Sequence, residues 1–437
     1  MSANPEIRNL LIITSSAGGG LLQAAIAQEQ QAKAENAQIQ IVKRDVLKDW
    51  LWRWLGEFSI QSWNIAQKKG NVKLQKALVS FHWLFDYIAW PSVFFHTLRV
   101  LFKEDIDRVI DTQTTSTSAI IKAIRIFNKK RSKQIVLEKV VVDLPTKKAT
   151  HFFRPIRILS KNDKKHLKLR TIPPLLEEGQ TSEEFWLTHC GVPESEICYE
   201  DVNVRQSFRN FQAKPRSASM TDLCLRFKNS EELHLMQKTW ERGNIQGTVE
   251  EDFVRFNIPE NARVITILLG SQPARAATVN YVKNFIQIVQ ELHQGSPPVY
   301  LFVFCADHRP GSRSLLCEVA EAVEESKEYS SLLSVIPFSF QDDDAIAPLF
   351  HRSDATCSRS GGGTAMELMA VSTGEIWIHS EAKKKSGDLS LKQLLSGIPV
   401  WESESALYLV NLFGAELVTP ETFSSNAFRL LTLYKNA

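Results

Sequence analysis

Two hydrophobic patterns alternate along this 437-residue chain. Short unbroken apolar runs, such as "LLII" at residues 10–13, give way to longer stretches in which apolar positions recur every three or four residues. The first pattern predicts strands buried on both faces and the second amphipathic helices, so their alternation predicts parallel α/β sheets. Strands are expected at residues 9–14, 39–43, 108–111 and 136–143, then again at 263–271, 299–306, 332–338, 354–358 and 375–380. The polar stretch 209–220, which contains Pro215, divides the chain into residues 1–212 and 213–437. Residues 221–260 read as a helical insertion or lead-in to the second half. The chain is longer than one core usually supports. The expected fold class is α/β, with two doubly wound domains in tandem.

Two glycine runs interrupt the pattern at matching places. "SSAGGGLLQAA" sets Gly18, Gly19, Gly20 and Leu21 between the first strand and a helix, and "SRSGGGTAMEL" sets Gly361, Gly362 and Gly363 between a later strand and a helix. Glycines at such a junction admit a ligand to the positive end of a helix, or simply make a tight turn. A dinucleotide fingerprint needs a third glycine where Gln23 stands, and a Walker loop needs a Gly-Lys-Ser/Thr ending that neither run has. In the second run Ser360 and Thr364 offer hydroxyls, and Glu367, one turn on, could accept from a sugar diol or simply favour the helix start. In parallel α/β sheets ligands bind beyond the strand carboxyl ends, so the two runs are expected on facing edges of a cleft.

Charge and aromatic residues change the picture in the first half. The net charge of +3 divides into 31 basic against 22 acidic residues over 1–212 and 21 against 27 over 213–437. Residues 50–102 carry six of the ten tryptophans, and residues 43–103 hold ten basic against four acidic side chains. This mixture suits a helical insertion, 46–104, that lies on an anionic bilayer; a subdomain with buried tryptophans is the other reading. Sixteen basic residues against three acidic over 122–170 would extend that surface. No stretch is apolar enough to span a bilayer, and the first apolar run lacks the flanks of a signal peptide. Six scattered cysteines without CxxC spacing suggest a reducing compartment and no structural metal. A cytoplasmic protein peripherally associated with membrane is expected, and no nucleic acid partner.

With both glycine runs in place, the sequence resembles glycosyltransferases of the monogalactosyldiacylglycerol synthase type and their relative, the bacterial peptidoglycan N-acetylglucosaminyltransferase. "IITSSAGGGLLQAA" resembles the opening "TSSxGGGHxxAA", and "VVVDLPTKKATHFF" the segment "VVTDxxxxHxxW". "IDRVIDTQTTSTSAIIKAIR" is similar to "PDxIIxTxPxxxxA", and "CGVPESEICYEDVNVRQSFRN" to "GIPxxKIxxxGxPVRxxF". In the second half "SRSGGGTAMELMA" resembles the donor loop "xRSGxxTxxE", and "PVWESESALYLVNLFGAELVTP" the segment "QExxNxxYLxxxGAxxxxP".

The resemblance implies a GT-B fold, in which two Rossmann-like domains face a cleft, with the C-terminal helix expected to cross back to the first domain. It implies a UDP-sugar co-substrate, no metal or other cofactor, and a hexose moved with inversion to a lipid-linked acceptor. Gly270 and Ser271 would lie beside the diphosphate, and Phe338 would border the uracil. Arg359, Ser360, Gly361, Gly362, Gly363 and Thr364 would cradle the diphosphate, Glu367 would hold the ribose and Glu402 the sugar. Gly18, Gly19, Gly20 and Leu21 would form the acceptor-side loop, and Asp143 and His151 would stand on the acceptor side.

The family's histidine after the third glycine, its general base, is Leu21 here. That assigns the catalytic role to His151 and Asp143, with His82 or His96 as alternatives. Ser405 stands at the asparagine of "QExxN", and residues 379–388 look inserted. A nucleotide-sugar epimerase or hydrolase, or a degenerate UDP-sugar-binding protein, is the rival reading.

Overall fold

The computed structural model describes residues 7–16, 19–216, 220–293, 295–309, 313–383 and 389–432. Fifteen strands are found there. The first domain holds β1 (Asn9–Thr14), β2 (Gln40–Asp45), β3 (Arg108–Asp111), β4 (Leu137–Val140), β5 (Leu167–Thr171) and β6 (Ile197–Tyr199), all parallel, in the order β2-β1-β3-β4-β5-β6. Next in the chain come β7 (Thr221–Arg226), β8 (Gly247–Val249) and β9 (Phe253–Ile258), an antiparallel sheet. The second domain holds β10 (Arg263–Leu268), β11 (Val299–Phe304), β12 (Leu333–Phe338), β13 (Ala355–Ser358), β14 (Glu375–His379) and β15 (Glu416–Val418), parallel in the order β12-β11-β10-β13-β14-β15. Two doubly wound Rossmann-like domains facing a cleft make this the GT-B arrangement.

In each sheet the strand order reverses beside the first strand of the domain, between β1 and β3 and between β10 and β13. The glycine runs follow β1 and β13, so both stand at a switch point, where such sheets open a binding crevice. Leu10, Leu11, Ile12 and Ile13 are completely buried, as a central strand covered by helices on both faces requires.

Residues 221–260 differ from the expected helical insertion. Leu223 and Leu225 on β7 alternate inward with Val254, Phe256 and Ile258 on β9, a period of two that specifies strands, and only Ser230–Trp240 is helical. Phe256 meets Phe302 of β11 at a ring distance of 6.1 Å, so this sheet extends the second domain's core. The C-terminal helix also departs from expectation. Ser424–Thr432 stays on the second domain, burying Ala427, Leu430 and Leu431 against the helix Arg275–Gln290, and no crossing back is seen among the described residues.

Between β2 and β3 the chain makes a short turn of helix at Val46–Trp50 and then α2, α3 and α4. α2 spans Arg53–Lys68, α3 Val72–Ser80 and α4 His82–Lys103. α4 anchors the group, since Ala89, Val93 and Leu101 are buried and Trp90 Nε1 donates to Ser118 Oγ at 3.0 Å. α2 buries only Gly56 and Ala66 and α3 only Gln75, so their apolar faces are not consumed by a core. Among the described residues no helix is long and apolar enough to cross a membrane.

Candidate active site

The first glycine run ends in α1, which spans Gly19–Glu35 and packs on the sheet through the small buried residues Ala24, Ala25 and Ala27. Gly18 lies outside the described residues. The opposing helix, Gly362–Val371, starts at Gly361. The two helix starts touch. A side chain on Gly363 would approach Gly20 Cα to 3.2 Å, and one on Gly362 would collide with the Val142 carbonyl of the first domain. These glycines therefore allow two positive helix ends to converge on one space.

The donor-side residues surround that space. Gly270, at φ 83°, turns the chain after β10 so that Ser271 faces Gly19. Thr364, Arg359 and Glu367 reach the same cavity. Glu367 is buried and accepts from Arg205 Nη2 at 2.8 Å and Nε at 3.2 Å; burial pushes its carboxyl up and the Arg205 charge pulls it back. Arg205 belongs to the "NVRQSF" segment, and the helix after it, Gln206–Phe211, packs on the second domain through Phe208 and Phe350.

Two expected donor residues stand elsewhere. Phe338 is completely buried at the end of β12 and does not reach the cavity; Phe304 and the half-exposed Phe340 do, with ring centroids 5.1 Å apart. Ser360 is also buried, and its hydroxyl donates to the Glu402 carbonyl at 2.8 Å, tying the donor loop to the helix Val400–Phe413.

On the opposite side, β4 leads to Asp143, and the helix Thr150–Arg157 carries His151 in its first turn. His151 Nε2 lies 2.7 Å from Asp143 Oδ2. In the neutral ring that contact assigns the proton to Nε2 and makes Nδ1 the acceptor, and Nδ1 is buried with no protein partner. The Trp401 ring stands edge-on to His151 at 6.0 Å. Its neighbour Glu402 is pushed to about 7, chiefly by burial and further by Asp143, against the opposing pull of Arg359 and His151. His96 stacks on Trp50 at 6.2 Å, outside this cavity wall, and the His82 side chain lies outside the described residues.

Leu21 lines the cavity and packs on the first-domain core. Its carbonyl accepts from Thr14 Oγ1 at 3.0 Å and Thr112 Oγ1 at 3.1 Å.

Apart from Phe338, Ser360 and His96, the described groups assigned to the donor and acceptor sides border one cavity of about 530 Å³. From the glycine runs it continues between α2, α3 and α4, where Leu55, Phe58, Leu78, Leu84, Phe85 and Ile88 form the wall. Sequence reasoning missed Arg205, Trp401 and Phe340 as wall residues; each lies within three residues of a quoted motif or an assigned position. It also missed Trp63 and Gln67, for which helical spacing was the only signal. No group of three potential metal ligands occurs among the described residues.

Fold and cavity together define a two-domain α/β protein with a cavity between facing strand ends. No protein-family model matches the chain, and no curated protein matches it in sequence. Among solved structures it is similar to MurG of Acinetobacter baumannii, at 12% identity over 98% of this chain and 91% of that one, TM-score 0.45. It is also similar to the UDP-GlcNAc 2-epimerase of Methanocaldococcus jannaschii, at 11% identity over 98% and 94%, TM-score 0.45. A third is the UDP-forming α,α-trehalose-phosphate synthase of Burkholderia xenovorans, at 9% identity over 98% and 92%, TM-score 0.47.

Proposed function

We propose that this protein is a UDP-sugar-dependent glycosyltransferase that moves a hexose, with inversion and without a metal, to the hydroxyl of a lipid acceptor at a membrane surface. One observation carries the reading: a single cavity joins two converging helix amino termini, suited to a diphosphate, to an apolar chamber suited to a hydrocarbon chain.

Arg359, Gly361, Gly362, Gly363 and Thr364 hold the diphosphate, Glu367 and Arg205 the ribose, and Phe304 and Phe340 the base. Glu402, whose carboxyl burial pushes up to about 7, hydrogen-bonds the hexose. The acceptor hydroxyl gives its proton to His151 Nδ1 while its oxygen bonds to the anomeric carbon. The bond from that carbon to UDP breaks on the opposite face, and the leaving diphosphate gains its charge beside the two helix ends. Asp143 fixes the imidazole and stabilises its charged form. His151 thus takes the role that Leu21 cannot, and Leu21 becomes wall for the apolar part of the acceptor.

The outer surface supports a membrane setting. Every described aromatic more than 60% exposed, namely Trp52, Trp54, Phe58, Phe81, Tyr87 and Phe95, lies in the α2–α4 insertion. Lys68, Lys69, Lys73 and Lys76 accompany them.

The test is UDP release from a panel of UDP-hexoses and UDP-N-acetylhexosamines, with and without vesicles carrying a lipid extract. Lipid-dependent release from one donor is expected. Release independent of lipid, or conversion of the sugar without UDP release, would sink the transferase reading in favour of a hydrolase or an epimerase.

A further inference from the structure

Four polar atoms in the cavity wall are buried without a protein partner: Trp63 Nε1, Gln67 Oε1, Gln23 Oε1 and His151 Nδ1. They are four of twenty-one buried side-chain atoms without a hydrogen-bond partner among the described residues, and because native proteins pair the great majority, a polar ligand in this cavity would supply the partners that these four lack. Two of the four come from α2. Trp63 and Gln67 are four residues apart and share a helix face with Ser59, which also lines the cavity beside Ser62. Toward its amino end the same helix presents Leu55 and Phe58 to the cavity. α2 is therefore divided along its length, apolar where the chamber is apolar and polar where it meets the glycine runs.

The polar end of α2 is held by the donor side. The Gln67 carbonyl accepts from Arg359 Nη2 at 3.1 Å, and Arg359 also contacts Glu381 at 3.3 Å. Trp63 lies 6.1 Å from Trp401, whose ring in turn meets His151. Two parts of the chain, α2 and the helix Thr150–Arg157, thus bring an indole N–H, an amide oxygen and an imidazole lone pair to the wall of one cavity. The two arginines of the cavity wall are committed to the donor side: Arg205 with Glu367 at the ribose, and Arg359, which also meets Glu381 and the Gln67 carbonyl, at the diphosphate. The unmatched set is one donor and several acceptors without net charge, which is complementary to hydroxyl groups and offers nothing extra to an anion.

We propose that Trp63 and Gln67 form the seat for an uncharged, hydroxyl-bearing head of the acceptor. Trp63 Nε1–H donates to one oxygen of that head and Gln67 Oε1 accepts from a hydroxyl, which sets another hydroxyl against His151 Nδ1. Both are positioning residues. This rests on the lipid-acceptor reading, and it adds that the insertion selects the head as well as accommodating the chain.

The experiment measures binding rather than turnover, with two probes of equal chain length: a monoacylglycerol, and the fatty-acid methyl ester that lacks its hydroxyls. Full-length protein is titrated with each by calorimetry, as wild type, Trp63→Phe and Gln67→Leu. Wild type is expected to prefer the monoacylglycerol by about tenfold, the scale of one or two net hydrogen bonds. Each variant should shrink that preference by at least about threefold while keeping its affinity for the methyl ester. Equal affinity of wild type for the two probes overturns the proposal, as does an unaltered preference in both variants. A variant that loses both probes alike also counts against it. If the hydroxyl preference appears but no UDP-sugar is turned over, the seat stands and the transferase reading fails. If sugar is turned over without the preference, the reverse holds.

Discussion

The two glycine runs share a local sequence and a local fold, yet they border different chemistry. After the first come Leu21 and a helix face of alanines; after the second come Thr364 and Glu367. Both helix starts meet in one cavity, but the first contributes backbone N–H groups and an apolar wall, whereas the second adds a hydroxyl and a carboxylate. A glycine run therefore makes space and a positive helix end, while the residues one to four positions later decide what uses them. In the proposed reaction the side chain missing from the first run is supplied from another element, by His151 on the helix Thr150–Arg157.

That division can be broken experimentally. The largest effect is expected at His151. His151→Ala should lower lipid-dependent turnover by about 10²- to 10⁴-fold with UDP affinity unchanged, measured by UDP release and calorimetry. Leu21→His should not restore it, because Leu21 faces the chamber; recovery of turnover in the double variant would return the base to the first run. Gly362→Val puts a branched side chain against the Val142 carbonyl and should hold the domains apart, costing about 10²-fold in turnover through misplacement alone. Small-angle scattering would register the opening.

Glu402 gives a stability effect of similar size. Its carboxyl is raised from 4.5 to about 7, so between those values the folded protein keeps a proton that the unfolded chain has released. Stability from this group falls as pH rises through that window and is lowest above 7. Glu402→Gln should remove the fall and add up to about 3 kcal/mol at pH 8, read from urea midpoints at pH 5 and pH 8. An unchanged difference between the two midpoints would exclude a buried, protonated Glu402.

Glu367→Gln should weaken UDP binding by about tenfold, one charge-assisted hydrogen bond, while Gln keeps a partner for Arg205. Unchanged UDP affinity would remove the second run from the donor site. The smallest expected effect is on the exposed rim of the insertion. Trp54→Ala should lower sedimentation with anionic vesicles by only a few fold, because five other exposed aromatics remain.

The strands β1, β3, β10, β11, β12, β13 and β14 were legible because burial demands unbroken apolar runs, and the glycine runs announced the crevice between them. β5 was not legible. Its Arg170 is buried in mid-strand only because Glu138, Glu200 and Gln28 meet it at 2.9, 2.6 and 2.8 Å from distant parts of the chain. The edge strands β6 and β15, three residues each, carry too little pattern to be seen.

The site divides in the same way. By itself the sequence determined which side chains could do chemistry and that two helix starts would face a cleft, because glycine freedom and strand burial are local properties. Tertiary structure alone decided that Phe340, not Phe338, reaches the cavity, that Arg205 meets Glu367, and that Trp63 and Gln67 of a distant helix line the same cavity as His151. Those pairings depend on how two domains and an insertion close on one another, and the three-dimensional meeting of residues far apart in the chain leaves no period in the sequence.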